Sequence, residues 1–294
     1  MAGLIVEGVT VRFGGLTALE DVALRVDPGE VVGLIGPNGA GKTTLFNVVC
    51  GFVRPQVGRL EWRGGPLRGH RPDQLPALGI GRTVQGLGLF PHLSVLENVL
   101  AGAGRHARAG FAAILFGLPG SDRDERQLRD RAGAALRELG VADAAWRLPG
   151  ELPYGAQKRV ALARALVAEP ELLMLDEPAS GLSGTDLAEL AELVRELRGR
   201  CSVLLVEHHM DWVMAVCDRV AVLDFGRVIA SGQPAQVQAD PAVTEAYLGA
   251  AVAAGPAGRH SAGGGHPADR HPADQRSADQ HPADPPGGGA ADHA

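Results

Sequence analysis

A glycine-rich segment at residues 36–43, which reads GPNGAGKT, constrains the fold of this chain more than any other feature. It matches the phosphate-binding loop pattern G-x-x-x-x-G-K-[ST] at every fixed position, and a second hydroxyl follows at Thr44. The apolar run at 30–35 predicts a buried strand, and residues 44–50 predict a helix that Gly51 closes. A strand, a glycine loop and a helix in this order direct several backbone N–H groups at one point, which suits a polyanion.

Lys42 in this loop is one of only two lysines in the chain, the other being Lys158. A compact ammonium group on a flexible stem can reach β- and γ-phosphates where a planar guanidinium would be bulky. The glycines allow the backbone to close around phosphate oxygens where a Cβ would obstruct it. The loop therefore predicts binding of a nucleoside triphosphate. The predicted contacts come from Gly36, Asn38, Gly39, Ala40, Gly41, Lys42, Thr43 and Thr44.

The composition narrows the class of protein. The 294 residues are 45% hydrophobic, which is ample for the core of one large or two small α/β domains. The net charge of −6 argues against a protein that coats nucleic acid, and no nucleic-acid partner is expected. No apolar run reaches the roughly 18 residues that span a bilayer, and residues 1–7 lack the basic start of a secretory signal. Cys50, Cys201 and Cys217 lack metal-ligand spacing and suit the core of a soluble cytosolic protein.

The order of apolar runs and turn signals predicts an α/β fold. Residues 4–35 alternate short β-like runs with turns, and residues 86–160 are helical in character. Apolar strands at 172–175 and 202–206 enclose a segment with helical period, which implies that the two strands pair in parallel. A hairpin signal follows at 220–230.

The last part of the chain, residues 251–294, has a different composition from the rest. It consists mainly of Ala, Gly, Pro, His and Asp, and the sequence HPAD recurs at 266–269, 271–274 and 281–284. Without large apolar side chains to bury, such a segment is expected to be disordered. Half of the ten histidines lie here. Weak binding of a transition metal is therefore a second interpretation, less favoured than a solvated linker.

Two acids follow the apolar strand at 172–175. In enzymes with a phosphate-binding loop, an aspartate here holds the Mg²⁺ environment together with the loop hydroxyl, which assigns these roles to Asp176 and Thr43. Glu177 points the other way from an extended backbone and can polarise a water for in-line attack. Alone, the pair fits two surface acids at a strand end equally well. After a phosphate-binding loop, the catalytic interpretation is favoured.

A second glycine segment, residues 152–159, reads LPYGAQKR and precedes a helix predicted at Val160–Glu169. A glycine that opens a helix makes a further anion site. The segment resembles the signature of ATP-binding-cassette (ABC) proteins, usually L-S-G-G-Q followed by Q/K-x-R. Leu152, Gly155 and Arg159 match it, whereas Pro153 replaces a serine, Tyr154 a glycine and Ala156 a glutamine. The resemblance implies that Leu152, Pro153, Tyr154, Gly155 and Ala156 contact ATP bound to a second cassette.

Three further positions take their roles from this resemblance. Gln85 lies where the family places the glutamine that senses Mg²⁺ and links to the membrane partner. His208 matches the histidine that contacts the γ-phosphate, with His209 as a bystander, and Phe13 matches the aromatic that stacks on adenine. From composition alone Phe13 fits a strand core nearly as well, and a histidine at a strand end is more often structural. The resemblance implies Thr43, Gln85 and Asp176 around Mg²⁺, and Glu177 and His208 as catalytic residues.

Several stretches resemble one branch of the family, the ATPase subunits of branched-chain amino-acid importers. The apolar insert at 111–116 is similar to the longer-insert type of these ATPases, although it also fits an ordinary core segment. One departure is at 180–183, where the usual S-A-L-D is S-G-L-S; Ser183 also fits a helix N-cap. The stretches that carry the resemblance are 12–16, 81–85, 93–99, the Tyr-Gly signature, 206–210 and 246–249.

The resemblance implies a RecA-like P-loop NTPase core with an N-terminal antiparallel β subdomain and an inserted α-helical subdomain at about 86–160, within a domain at 1–250. The expected function is ATP hydrolysis that energises import of branched-chain amino acids or similar small polar solutes, with ATP and Mg²⁺ as cofactors. The expected partners are a second cassette in a homodimer or heterodimer, two permease subunits and, indirectly, a solute-binding protein, at the inner face of the cell membrane. A non-transport ABC-type ATPase and a nucleotide-dependent regulatory module are the alternatives.

Overall fold

The computed structural model of the chain describes residues 3–83, 86–106 and 121–253. Gln85, the apolar insert at 111–116 and the tail beyond Ala253 lie outside the described residues. The chain divides into two units, Met1–Gly255 and Pro256–Ala294, and every element below belongs to the first. Within the described ranges, no helix is both long enough and apolar enough to cross a membrane.

The described residues contain ten strands in two sheets. The smaller sheet is antiparallel with strand order β2-β1-β4-β5, and the larger has the order β10-β9-β3-β8-β7-β6. All neighbours in the larger sheet pair in parallel except β9 and β10, which form the predicted hairpin. The strands are β1 Leu4–Phe13, β2 Leu16–Val26, β3 Val31–Ile35, β4 Val57–Trp62, β5 Gly65–Pro66, β6 Ile80–Arg82, β7 Leu172–Asp176, β8 Ser202–Val206, β9 Arg219–Asp224 and β10 Arg227–Gly232.

Eight α-helices are present in the same part of the chain. Helices α2 to α4 form the inserted helical region that the sequence predicts between the two halves of the large sheet. The helices are α1 Lys42–Val49, α2 Val95–Gly102, α3 Ser121–Glu138, α4 Tyr154–Leu166, α5 Gly184–Glu196, α6 Met210–Val216, α7 Pro234–Gln238 and α8 Pro241–Ala253.

The large sheet separates two hydrophobic cores, because alternate residues of its buried strands face opposite sides. On β3, Val31 and Ile35 pack with the helical region and α5, whereas Val32 and Leu34 pack with α1 and the small sheet. Such strands read as continuous apolar runs, which is why the sequence predicts them well. Strands β3, β8 and β7 are adjacent and parallel, so their carboxyl ends lie along one edge.

One predicted helix start differs from the observed one, and one predicted N-cap lacks its side-chain hydrogen bond. The helix predicted at Val160–Glu169 begins at Tyr154, because Pro153 occupies the N-cap and the signature residues form the first turn. Ser183 does occupy the N-cap of α5, but its side chain makes no capping hydrogen bond. By contrast, Ser94 caps α2 as the S-x-x-E spacing at 94–97 predicts. Its Oγ atom accepts a hydrogen bond from Glu97 N at 3.3 Å.

Candidate nucleotide-binding site

The glycine loop leaves the end of β3 and leads directly into α1. Gly36 has φ 150° and Gly41 has φ 104°, the latter in the left-handed region at the N-cap of α1. A Cβ on Gly36 would lie 2.0 Å from the carbonyl oxygen of Leu223, and one on Gly41 would lie 2.6 Å from that of Ala18. The loop backbone is therefore packed against β9 and β2 in a way that only glycine permits. This fixes the direction in which the first N–H groups of α1 point.

Lys42 lies at the start of α1, with its ammonium group curled over the loop. The Nζ atom donates to the carbonyl oxygens of Gly36 at 2.7 Å and Pro37 at 2.9 Å. Burial lowers the pKa of Lys42, and the negative charge of Glu177 opposes this effect. An ammonium group has three N–H donors, so the two loop contacts leave one for a further acceptor.

Asp176 ends β7 on the same sheet edge as the glycine loop. Its backbone N–H donates to Thr83 Oγ1 at 3.1 Å, which fixes the strand end against the segment after β6. Burial and the neighbouring charge of Glu177 raise the pKa of the Asp176 carboxyl, while Arg82 opposes the rise. A half-buried carboxylate under these conditions is stabilised by a cation, and the Asp176 carboxylate with the Thr43 hydroxyl are the hard oxygen donors that Mg²⁺ prefers. The chemistry of these residues therefore fits Mg²⁺.

Glu177 follows Asp176 with φ 47°, in the left-handed region that side chains other than glycine rarely adopt. The sequence predicts an extended backbone at Glu177, and this prediction is wrong. The strand ends at Asp176 and the chain turns sharply at the next residue, although a residue that precedes a proline favours extended backbone. The turn brings a Glu177 carboxylate oxygen to 3.9 Å from His208 Nδ1.

Three residues that follow β8 form a cluster of one acid and two histidines. The Glu207 carboxylate is completely buried, whereas the side chains of His208 and His209 are each about half exposed. The two imidazole centroids are 4.3 Å apart, and His209 Nδ1 lies 3.2 Å from Glu207 Oε2. His209, to which the family resemblance gives no role, therefore contacts the buried acid directly.

The signature residues form the loop before α4 and its first turn. Leu152 is buried in the core and Gly155 is buried beneath the Asp186 carboxylate, whereas Pro153 and Tyr154 are exposed. The Tyr154 ring packs beside Gly181, where a Cβ would lie 2.8 Å from the ring. The surface that this segment offers to another molecule is therefore dominated by Pro153 and Tyr154.

Phe13 ends β1 at the tip of the β1–β2 hairpin and is 52% exposed. The alternative that it belongs to the strand core is therefore wrong. The same hairpin packs on the glycine loop through Ala18, and Glu20 N donates to Gly226 O at 2.8 Å. The aromatic ring is thus free to contact a ligand next to the loop.

Two residues of this region received no functional role from the sequence. The sequence around Glu207 does not indicate its role, because the burial of this side chain depends on contacts with a distant segment. Tyr247 on α8 places a buried hydroxyl near the backbone of Gly36 without a hydrogen bond of normal geometry. Burial raises the pKa of Tyr247 to about 12.

The fold and this edge of the sheet define a nucleotide-hydrolysing P-loop protein. Residues 19–180 match the family model of the ABC transporter, and residues 227–253 match that of the branched-chain amino acid ATP-binding cassette transporter. The chain is 42% identical over 250 residues to the high-affinity branched-chain amino acid transport ATP-binding protein LivG of Escherichia coli K12, covering 84% of this chain and 98% of LivG. It is 40% identical over the same length to BraF of Pseudomonas aeruginosa, which carries the same description.

A solved structure gives the same result at the level of the fold. The ADP conformation of an ATP-binding cassette from an ABC transporter superposes with a TM-score of 0.73 at 31% identity, covering 85% of this chain and 99% of that one. The chain therefore belongs to the ABC transporter family and is one of its ATP-binding ATPase subunits. The predicted fold class and the resemblance to the branched-chain importer group are confirmed.

Proposed function

We propose that this chain hydrolyses ATP to energise an importer of branched-chain amino acids or similar small polar solutes. The observation that carries the catalytic part is the convergence of Lys42, Glu177 and His208, which are far apart in the sequence. The charge of Glu177 acts on Lys42, and its carboxylate lies 3.9 Å from His208 Nδ1. The transport part rests on the match at 227–253 and on the similarity to LivG and BraF.

In the proposed reaction, the loop N–H groups and Lys42 hold the phosphates of ATP. Glu177 accepts a proton from a water molecule whose oxygen attacks the γ-phosphorus, while the bond to the β,γ-bridging oxygen breaks. His208 contacts the γ-phosphate and thereby orients it toward this water. Mg²⁺, held by Thr43, Asp176 and Gln85, would neutralise charge on the phosphate oxygens. Phe13 stacks on the adenine.

The proposed site is completed by a second cassette, either another copy of this chain or a paralogue. The exposed signature residues Pro153 and Tyr154 support this proposal, because they lie outside the chain's own glycine loop. Pro153 lacks the hydroxyl of the usual serine, so backbone N–H groups near Gly155 would contact the γ-phosphate of the partner's ATP.

Two permease subunits are the further proposed partners, with a solute-binding protein acting through them. A groove of about 320 Å³ between the end of α2 and the segment after β6 suits a permease segment. It is lined by the half-exposed ring of Phe90 and by the guanidinium groups of Arg82 and Arg164. Docking there would place the chain at the inner face of the cell membrane.

The catalytic proposal is tested by ATP turnover of the full-length chain carrying Glu177→Gln. We expect turnover to fall about a hundredfold or more, because the general base is lost. Glu171→Gln is the matched control, since this half-exposed acid precedes the same strand and its carboxylate pairs with Arg63. Unchanged turnover of the Glu177 variant would remove that residue from the mechanism.

The transport proposal is tested in cells that express the chain with its cognate permeases and binding protein. Uptake of radiolabelled leucine that depends on Lys42 would support it. Uptake of urea or an amide without leucine would reassign the solute and leave the ATPase assignment intact.

A further inference from the structure

The backbone of residues 177–179 is held by hydrogen bonds from several parts of the chain. Glu177 is left-handed and is followed by Pro178, which has no N–H group to donate. Glu177 N donates to the carbonyl oxygen of Val206 at 2.9 Å, which ties the turn to the end of β8. A residue in a sparsely populated conformation persists only when its surroundings hold it there.

Lys158 holds this segment from the side of the helical region. It lies on α4, one turn after Tyr154, and its Nζ donates to the carbonyl oxygens of Glu177 at 3.0 Å and Pro178 at 2.7 Å. The same ammonium group lies 5.6 Å from the centroid of the Tyr154 ring, within the range of a cation–π contact. Burial lowers the pKa of Lys158, and the charges of Glu207 and Glu177 oppose this effect.

Glu207, directly after β8, holds the same segment through a different backbone group. Its Oε1 atom accepts from Ala179 N at 2.6 Å, while Oε2 accepts from His208 N at 2.8 Å and His209 N at 3.2 Å. A completely buried carboxylate is stable only when such donors compensate its charge. One side chain therefore joins the turn after Glu177 to the backbone of His208.

The three side chains of Glu207, His208 and His209 have ligand atoms within 4.8 Å of one another, so a metal site is the competing interpretation. Both oxygens of Glu207 already accept backbone N–H groups. A metal ion on this carboxylate would have to displace those bonds, which would release the turn. The hydrogen bonds therefore favour a structural role for the carboxylate over metal binding.

We propose that Lys158 and Glu207 are positioning residues for ATP hydrolysis, which hold the 177–179 backbone and thereby aim the Glu177 carboxylate. The inference rests on the proposed role of Glu177. Neither residue is assigned a contact with ATP. Lys158 donates to the carbonyl oxygens of Glu177 and Pro178, and Glu207 accepts from the N–H group of Ala179, so both act on the two peptide units that follow Glu177.

The variants Lys158→Met and Glu207→Gln test this inference in the full-length chain. Methionine keeps the length of the side chain but cannot donate, and glutamine offers one acceptor oxygen where two are needed. We expect each to lower kcat by about ten- to a hundredfold, because a displacement near 1 Å at a reacting group has an effect of this size. The KM for ATP and the affinity for a fluorescent ATP analogue should stay within about twofold.

Two further variants separate positioning from a general loss of stability. Lys158→Arg can donate to both carbonyl groups and should recover part of the kcat lost in Lys158→Met. Asp218→Asn is the matched control, since Asp218 also accepts from a backbone N–H, that of Val31 at 2.9 Å, at the opposite end of the sheet. It should leave kcat within about twofold even where thermal unfolding shows a lower Tm.

The outcomes are distinguishable. A tenfold or larger loss of kcat at constant ATP affinity supports the inference. The double variant Lys158→Met/Glu207→Gln should then lose less kcat than the product of the two single losses, because both residues act on one geometry. Unchanged kcat in folded Lys158→Met overturns it, as does a parallel loss of ATP affinity, or an equal loss in Asp218→Asn. If Glu177→Gln leaves turnover unchanged while these variants lower it, the role of Glu177 fails and the inference fails with it. If only Glu177→Gln lowers turnover, the inference alone fails.

Discussion

The Asp186 carboxylate on α5 lies directly over the backbone of Gly155 on α4, where a Cβ would come within 2.7 Å of it. Asp186 is held in place by Arg159, whose Nη2 atom donates to it at 3.0 Å. A side chain at this signature position would therefore displace the Asp186 carboxylate within this chain, whatever the glycine contacts in a second cassette.

Gly155→Ala should lower the free energy of unfolding by up to about 1 kcal/mol, because the added methyl group displaces the half-exposed Asp186 carboxylate from Arg159. Asp186→Ala removes the obstruction, so the double variant should recover most of this loss. The measurement is urea unfolding of all three variants. Equal stability of Gly155→Ala and the unchanged protein would contradict the packing argument.

Phe13→Ala should weaken ATP binding about tenfold without changing thermal stability. Stacking of an aromatic ring on a base contributes about 1–3 kcal/mol to binding. The Phe13 ring is half exposed and therefore contributes little to the stability of the fold. Equilibrium binding of a fluorescent ATP analogue tests this. Leu16→Ala, in a more exposed position on the same hairpin, should have no effect.

The three buried thiols should make stability fall at alkaline pH. Burial raises the pKa of Cys50 and of Cys201 from 9.0 to about 11, and it raises the pKa of Cys217 as well. The folded thiols keep their protons to higher pH than the unfolded ones. Their contribution is therefore fully present below about pH 9 and is lost as the pH rises toward 11. Urea unfolding across this range measures the loss.

Cys201→Ala is the control for this pH dependence. It removes one titrating thiol at the end of the α5–β8 connection, so the variant should lose less stability between pH 9 and 11 than the unchanged chain. An identical slope in both proteins would show that other groups dominate the alkaline loss.

Tyr247→Phe should keep or raise stability, by up to about 1 kcal/mol, because it removes a buried hydroxyl that lacks a hydrogen bond of normal geometry. The ring still packs against the core of the large sheet. Thermal unfolding tests this prediction. A clear fall in Tm would show that the hydroxyl bonds to Gly36 in solution.

The sequence predicts the parts of this molecule in which neighbouring residues carry the signal. Buried parallel strands are uniformly apolar, and the glycine loop at 36–43 combines residue types that a phosphate needs. These local patterns were sufficient to identify β3, β7 and β8 and to predict that Lys42 and Asp176 share a site.

The positions that the sequence missed depend on contacts between distant segments. Glu207 looks like an ordinary acid after a strand, and its burial is compensated in part by a hydrogen bond from the distant Ala179 N–H group, which the sequence does not reveal. The left-handed turn at Glu177 follows from that contact and from Lys158, neither of which has a local signature. The S-x-x-D spacing of Ser183 and Asp186 predicts a capping box at the start of α5. Ser183 makes no capping hydrogen bond there, and Asp186 accepts from Arg159 instead.

Helix α4 carries Tyr154 on its exposed first turn and Lys158 one turn later, so the surface offered to a second cassette and the group that holds the Glu177 backbone belong to one rigid element. In the proposed head-to-tail dimer, a displacement of Tyr154 by the neighbour's nucleotide would reach the group that holds the Glu177 backbone over about 6 Å of helix. In that proposed dimer, hydrolysis at one site would then depend on the nucleotide bound at the other.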